Sequence, residues 1–337
     1  MSFKTTIKPS NHSFAIGKDE TILEAALEHG YTLPYSCRNG ACGVCKGKVL
    51  QGTVDHGKAQ DFALSEAEKA AGLTLFCCAK PLSDLTIECH EVTTERDIQV
   101  KTLPCRVEKM VKLADDVMAL YLKLPTNERM QFLAGQYIDI LQKEGKPRSF
   151  SLASAPHNDE LLELHVRNIA GGAFTNHVFN EMKERDILRI KGPLGTFFLR
   201  EDSSRPIIFV ASGTGFAPVK AIIEHALHIG IQRPMHFYWG ARKLADLYML
   251  PLAEEWASYG IRFTPVLSEP LPGDNWQGRT GLVHQAVMED FSDLSGYEVY
   301  ACGAPVMVEA AHNDFVAQRA LPSEEFFSDA FTFAPKV

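Results

Sequence analysis

The stretch Cys-Arg-Asn-Gly-Ala-Cys-Gly-Val-Cys, residues 37 to 45, sets three cysteines and two glycines in nine positions. Its spacing, C-x4-C-x2-C, is that of a plant-type [2Fe–2S] loop, whose cluster takes four thiolates. A candidate fourth thiolate follows in Leu75-Phe76-Cys77-Cys78-Ala79. The chemistry also needs backbone N–H groups turned toward the sulfurs. Gly40 and Gly43 permit that wrap, because glycine accepts backbone angles that other residues avoid. Zinc sites usually pair short C-x2-C spacings, and no matching second pair is present. A thiol–disulfide pair needs its C-x-x-C at a helix start in a different fold. Spacing alone leaves Cys77 and Cys78 open as the fourth ligand. Cys89 and Cys105 read as core thiols.

Two further regions carry candidate chemistry. Arg148-Ser149-Phe150-Ser151 is a short strand with polar residues that a solvated face alone would explain. Downstream, however, Gly171-Gly172-Ala173-Phe174-Thr175 opens a helix whose exposed N–H groups favour a phosphate. Later, the apolar strand Ile207 to Ala211 runs straight into Ser212-Gly213-Thr214-Gly215-Phe216-Ala217-Pro218. Strand, glycine turn and helix start are a means of cradling a pyrophosphate, and Pro218 in the first helical turn costs no hydrogen bond. A bare G-x-G is weak evidence. Tyr300-Ala301-Cys302-Gly303-Ala304-Pro305-Val306-Met307 repeats the arrangement of strand, glycine–proline turn and helix. Alone, Cys302 would read as a buried thiol.

The elements that position these residues fall into three regions. In residues 1–97 strand-like alternation precedes a helix over Glu20 to Leu27, with further strands at Lys46–Thr53 and Leu85–Cys89. The pattern reads as a small α+β sheet crossed by a helix. Residues 103–201 are mainly β, with strands at 105–111, 117–124, 136–141, 150–152, 161–167 and 187–191, suited to a closed antiparallel barrel; a helix near 174–182 interrupts them. From 205 to 337, strands at 206–211, 235–239, 262–267 and 298–301 alternate with helices, the pattern of an α/β parallel sheet that binds a nucleotide. Phe326 to Phe331 reads as an edge strand.

Composition sets outer limits. The chain has 337 residues, 45% of them hydrophobic, and a net charge of −8. That charge disfavours nucleic acid or an anionic membrane as partner. No apolar run approaches the roughly 20 residues of a membrane span. The first residues lack the apolar core of a secretion signal. Eight cysteines then read as thiols or metal ligands in a cytoplasmic protein.

Together the motifs resemble the ferredoxin–NADP reductase superfamily, whose flavin motif is R-x-Y-S followed by a G-x-x-S/T helix start, and whose nicotinamide domain carries C-G-x-P-x-M. The first region is similar to plant-type ferredoxins (a β-grasp), where Cys-x-Ala holds the last ligand. That likeness implies Cys37, Cys42, Cys45 and Cys77 as the cluster ligands, which leaves Cys78 a core thiol like Cys89 and Cys105. The resemblance further implies FAD, with Arg148 on its pyrophosphate, Ser149, Phe150 and Ser151 along the flavin strand, and Ser151 near N5. Gly171, Gly172 and Thr175 would hold phosphate, and His165, Val166 and Arg167 would run beside the ring system. Phe150 departs from the family tyrosine and forgoes one hydroxyl donor. Gly213, Thr214, Gly215 and Pro218 would hold the pyridine nucleotide, and Cys302 with Gly303 would approach the nicotinamide. Asp329 and Phe331 would sit near the flavin face and join Ser151 and Cys302 as catalytic candidates. Arg242, in Trp239-Gly240-Ala241-Arg242, or Lys243 could meet a 2′-phosphate, yet similar segments in three-domain relatives imply NADH, with NADPH the alternative.

Nicotinamide delivers two electrons at once and an iron–sulfur cluster carries one, so a flavin must lie between them. The implied partner is a terminal enzyme: an oxygenase, or a sugar dehydratase as in the CDP-6-deoxy-3,4-glucoseen reductase group. The segments Arg-Ser-Phe-Ser and Phe-Phe-Ser-Asp-Ala-Phe-Thr favour that second group. A self-contained flavin or ferric reductase is the alternative, and a purely sensory iron–sulfur module would leave two nucleotide turns without purpose. Purified protein is expected to be red-brown, to contain flavin and iron, and to give a rhombic EPR signal after NADH addition. A colourless, zinc-containing preparation would overturn the assignment.

Overall fold

The computed structural model describes residues 2–92, 98–142 and 146–332. The expected ends of the first and third regions, at 97 and 337, lie outside the described residues. Contacts divide the chain into two units, one of residues 1–97 with 331–337, the other of residues 98–330.

The first unit opens with β1 (Ser2–Lys8) and β2 (Ser13–Gly17), then α1 (Ile22–Glu28). After the cysteine loop come β3 (Lys46–Gln51), β4 (Val54–Asp55), α2 (Glu66–Ala70), β5 (Leu73–Leu75), β6 (Lys80–Pro81) and β7 (Leu85–Glu88). The main sheet has the order β2-β1-β7-β3-β5, with β1 and β7 parallel, and β4 pairs β6 in a separate ribbon. Helix α1 starts at Ile22 rather than Glu20 because Thr21 and Glu24 close a capping box, which satisfies two otherwise orphan N–H groups. Two further first-turn donors are spent across the chain: Ile22 N–H donates to Ala79 O at 3.0 Å and Leu23 N–H to Phe76 O at 2.9 Å. The helix start therefore grips both ends of the Phe76–Ala79 segment. Its inner face, Ile22, Leu23, Ala25 and Ala26, packs into a core with Ile7, Ile16, Phe76 and Ile87.

In the second unit β8 (Lys101–Ala114), β9 (Val117–Lys123), β10 (Tyr137–Leu141), β11 (Arg148–Ser151), β12 (Leu162–Arg167) and β13 (Ile187–Leu194) form one antiparallel sheet, interrupted by α3 (Ala173–Asn180). Its order is β11-β10-β13-β8-β9-β12. The two edge strands meet through a Leu152–Leu164 bridge, which curls the sheet into a barrel around Val107, Leu120, Ile138, Leu164 and Ile190.

The remaining elements are β14 (Ile207–Ser212), α4 (Phe216–His228), β15 (Met235–Ala241), α5 (Leu250–Glu255), β16 (Arg262–Leu267), β17 (Arg279–Thr280), α6 (Val283–Asp290), β18 (Glu298–Gly303), α7 (Pro305–Arg319) and β19 (Phe326–Ala330). The sheet is parallel throughout, in the order β17-β16-β15-β14-β18-β19. Strands β14 and β18 lie centrally and are almost wholly buried, as their mainly apolar runs require; the one charge, Glu298 at the start of β18, is paired with Arg233 at 3.0 Å. Helix α4 begins two residues before Pro218. The proline sits in the first turn, where its missing N–H has no intrahelical partner to lose.

Candidate functional site

The cysteine loop is built for negative sulfur. Gly40 and Gly43 have φ of +80° and +77°, and the Cys42 N–H donates to the Cys37 sulfur at 3.3 Å. The Cys37 thiol is held down to about 6, first by the Cys42 thiol's hydrogen bond and then, against burial, by the N–H groups of Asn39, Ala41 and Cys42. Phe76 N–H donates to Cys45 O at 3.0 Å, which docks the distal segment on the loop. The Cys77 thiol is pushed up first by its hydrogen bond with Cys45. The Cys42 thiol is pushed up in turn, first by its hydrogen bond with Cys37, so closely set thiols form a donor set that iron would relieve. Among the described residues no group of three or more His, Cys, Asp or Glu side chains is arranged to hold a metal ion. A two-iron cluster divides four thiolates between its irons, so no such convergence on one ion is needed. The two thiols that spacing left open lie side by side, with Cys77 and Cys78 sulfurs 3.7 Å apart.

On β11 the residues alternate. Ser149 donates to Asp139 Oδ1 at 2.7 Å, Phe150 packs against Phe174 at 5.5 Å, and Arg148 donates to the carbonyls of Lys146 and Pro147. Ser151 is buried and its hydroxyl donates to Asp329 Oδ2 at 3.2 Å. Gly172 is the N-cap of α3, and a Cβ there would lie 2.6 Å from Thr175 Oγ1. The Thr175 hydroxyl closes the Ile169–Gly172 turn, accepting from Ile169 N–H at 3.2 Å. Gly171, at φ +76°, completes the turn and leaves the helix N–H groups uncovered by any side-chain cap. That turn fits a phosphate.

The two nucleotide turns interlock. A Cβ on Gly215 would lie 2.2 Å from Cys302 O, and one on Gly303 would lie 2.4 Å from Ser212 Oγ. Ser212 Oγ instead accepts the Ala304 N–H at 2.9 Å, while Trp239 Nε1 donates to Gly213 O at 3.0 Å. The Arg167 guanidinium lies beside Gly213, where a Cβ would stand 3.6 Å from it. Its Nε and Nη2 are buried without a hydrogen-bond partner, with the Asp116 carboxylate 3.6 Å from Nε. Unspent donors next to a glycine turn fit an anionic pyrophosphate. Thr214 and Pro218 complete this turn, and Pro218 is buried. Cys302 pairs with Asp329 across β18 and β19, so Ser151, Asp329 and Cys302, expected separately, come together. Burial, then the Asp329 charge, keeps Cys302 a neutral thiol. Phe331 lies one residue beyond β19, and its contacts group it with the first unit. Arg242 is largely exposed and lies 4.0 Å from Asp246.

The structure also shows a network that no motif announced. Val166 is fully buried in the barrel core, and the flanking His165 turns into a buried polar chain. Its Nε2 lies 2.9 Å from Glu163 and its Nδ1 3.0 Å from the Tyr248 hydroxyl. Lys220, on α4, donates to Glu163 at 3.0 Å, to Glu224 at 3.1 Å and to Ala153 O at 3.1 Å. Burial alone would raise the Glu163 carboxyl, but His165 and Lys220 outweigh it and hold it at about 2. The sequence signal was a lysine four residues before a glutamate in a mainly apolar helix.

These features define an oxidoreductase that joins an iron–sulfur domain to a flavin and nicotinamide pair. Residues 5–82 match the 2Fe-2S iron-sulfur cluster binding domain, 104–199 the oxidoreductase FAD-binding domain and 209–313 the oxidoreductase NAD-binding domain. The chain is 43% identical over 335 residues to the CDP-6-deoxy-L-threo-D-glycero-4-hexulose-3-dehydrase reductase of Yersinia pestis, covering 98% of this chain and 99% of that protein. It is 36% identical to the reductase component DmpP of phenol 2-monooxygenase from Pseudomonas sp. (strain CF600), covering 99% and 96%. The crystal structure of Amycolatopsis cytochrome P450 reductase GcoB superposes with a TM-score of 0.78 at 35% identity, covering 98% and 99%. The chain belongs to the three-domain iron–sulfur flavoprotein reductases of the ferredoxin–NADP reductase superfamily.

Two outcomes follow from this geometry. Gly215→Ala must displace backbone at Cys302, so kcat/KM for NADH with ferricyanide should fall roughly tenfold or more, with flavin content unchanged. Glu163 ionises more readily in the folded protein than its ordinary 4.5, so the stability it adds is full above that pH and is lost as pH falls toward about 2. Melting temperatures measured across that window should fall less steeply for Glu163→Gln than for the unaltered protein.

Proposed function

We propose that the protein takes a hydride from NADH and passes electrons, through FAD and a [2Fe–2S] cluster held by Cys37, Cys42, Cys45 and Cys77, to a separate terminal enzyme. The observation that carries this reading is the meeting of Ser151, Asp329 and Cys302, one residue from the flavin strand and two from the nucleotide sheet. A flavin, when bound, accepts an electron pair and releases single electrons. The chain's own part is to hold the donor nucleotide on the Gly213–Gly215 and Gly303 turns, with Arg167 on its pyrophosphate. Buried Ser151 and the neutral Cys302 thiol then line a site from which water is largely excluded. Functionally we divide the chain at 1–97, 103–201 and 205–337.

The 43% identity to the dehydrase reductase, against 36% to the phenol hydroxylase component, favours a sugar dehydratase as acceptor over an oxygenase. We place NADH before NADPH on the likeness of the Gly-Ala-Arg segment to three-domain relatives; of the two cations available to a 2′-phosphate, Arg242 and Lys243, the first already has the Asp246 carboxylate 4.0 Å away. Among the described residues no helix is long and apolar enough to cross a membrane. We assign the protein to the cytoplasm, where reducing conditions preserve its eight free cysteines.

The self-contained reductase makes a different demand on the cluster. In the feeder reading, Cys42→Ser keeps NADH oxidation by ferricyanide while transfer to the purified sugar dehydratase drops to background. Undiminished transfer by that variant would establish the self-contained reading instead.

A further inference from the structure

Cys78 has no place in a four-thiolate cage, yet it is no distant core thiol. It is 3% exposed, and its sulfur lies 3.7 Å from that of Cys77, within reach of an S–H···S hydrogen bond. On its other side it meets the cysteine loop, since a Cβ on Gly40 would stand 2.7 Å from the Cys78 sulfur. Gly40 is itself fixed, at φ +80° and with its carbonyl accepting the Gln60 N–H at 2.9 Å. The backbone holds the thiol from behind. Cys78 and Ala79 both donate to Leu75 O at 2.9 Å, and Ala79 O accepts from Ile22 at the start of α1. The sulfur is wedged between the distal ligand and the loop that carries the other three.

We propose that Cys78 tunes the cluster: its thiol donates a hydrogen bond to the Cys77 sulfur and so raises the cluster's reduction potential. The proposal rests on the assignment of Cys77 as the fourth ligand made above. Four thiolates complete the protein ligation of two irons, so a fifth thiol keeps its proton and remains a donor. A hydrogen bond to a ligand sulfur draws electron density away from the iron and favours the reduced, more negative state. At a site closed to water, that bond is not replaced by solvent when the thiol is removed. Without the donor the cluster is harder to reduce, and electron delivery from the flavin becomes less favourable.

The test compares Cys78→Ala, Cys78→Ser and Cys77→Ala in the full chain, by iron and sulfide content and by EPR-monitored anaerobic redox titration. Cys78→Ala should keep the iron content and the EPR signal of the unaltered protein while its midpoint shifts to lower potential. Cys78→Ser, which keeps a hydroxyl donor, should shift less in the same direction. Cys77→Ala should lose the cluster. An unchanged midpoint in Cys78→Ala overturns the proposal, and so does loss of iron from both Cys78 variants with retention in Cys77→Ala. Absence of a cluster from the unaltered protein would instead strike the reading on which the proposal stands, so the two failures are distinct.

Discussion

No side chain fits where β14 and β18 end. The turn after one strand presses backbone against backbone on the turn after the other, at Gly215 against Cys302 and at Gly303 against Ser212. Much of the redox geometry in the second unit follows from that contact. It forces α4 and α7 to start side by side, so two sets of helix N–H groups face one region. It sets Cys302 at the end of a fully buried strand, and the parallel register then puts Asp329 next to it. Ser151, arriving from the barrel, completes the group through one hydrogen bond. The placement of reacting groups is thus decided by main-chain packing, which tolerates far less variation than a side-chain rotamer.

Residues whose chemistry is local were legible in the sequence. Cys37, Cys42 and Cys45 announce themselves by spacing, and Gly213 and Gly303 by standing where strands become helices. Family likeness extended this to Ser151, Asp329 and Cys302. Their convergence was not legible from the residues themselves, since it depends on the register of β18 with β19 and on the curl of the barrel. Strand alternation at His165 and Arg167 gave two faces without saying which one meets a ligand. The His165 side chain in fact turns into the Glu163–Lys220 chain, and the Arg167 guanidinium lies against Gly213. Lys220 was illegible because its partners Ala153 and Glu163 lie more than fifty residues away in sequence, and its helix differs little from any buried amphipathic helix.

In the first unit the same economy appears at the start of α1. Donors that an isolated helix would leave to water are used to hold Phe76 and Ala79, and hence the Cys77–Cys78 pair between them. Phe76 in turn fills the space that Gly47 leaves, where a Cβ would lie 2.3 Å from its ring. Secondary structure and core packing together prepare the cage, and the loop glycines only complete it.

The ion pair between Lys220 and Glu163 has a bearing on how such proteins can be assembled from parts. It joins the nucleotide sheet's first helix to a barrel strand, and both charges are buried. Removing one partner within the folded protein would strand the other charge in an apolar setting, a cost of several kcal/mol by the usual measure of broken buried pairs. Parting the barrel from the nucleotide sheet would break this pair, so the flavin and nicotinamide portions are best handled as one piece. The two contact-defined units part near residue 98 and again near residue 330, so an exchange of the iron–sulfur portion has to cut the chain at both places.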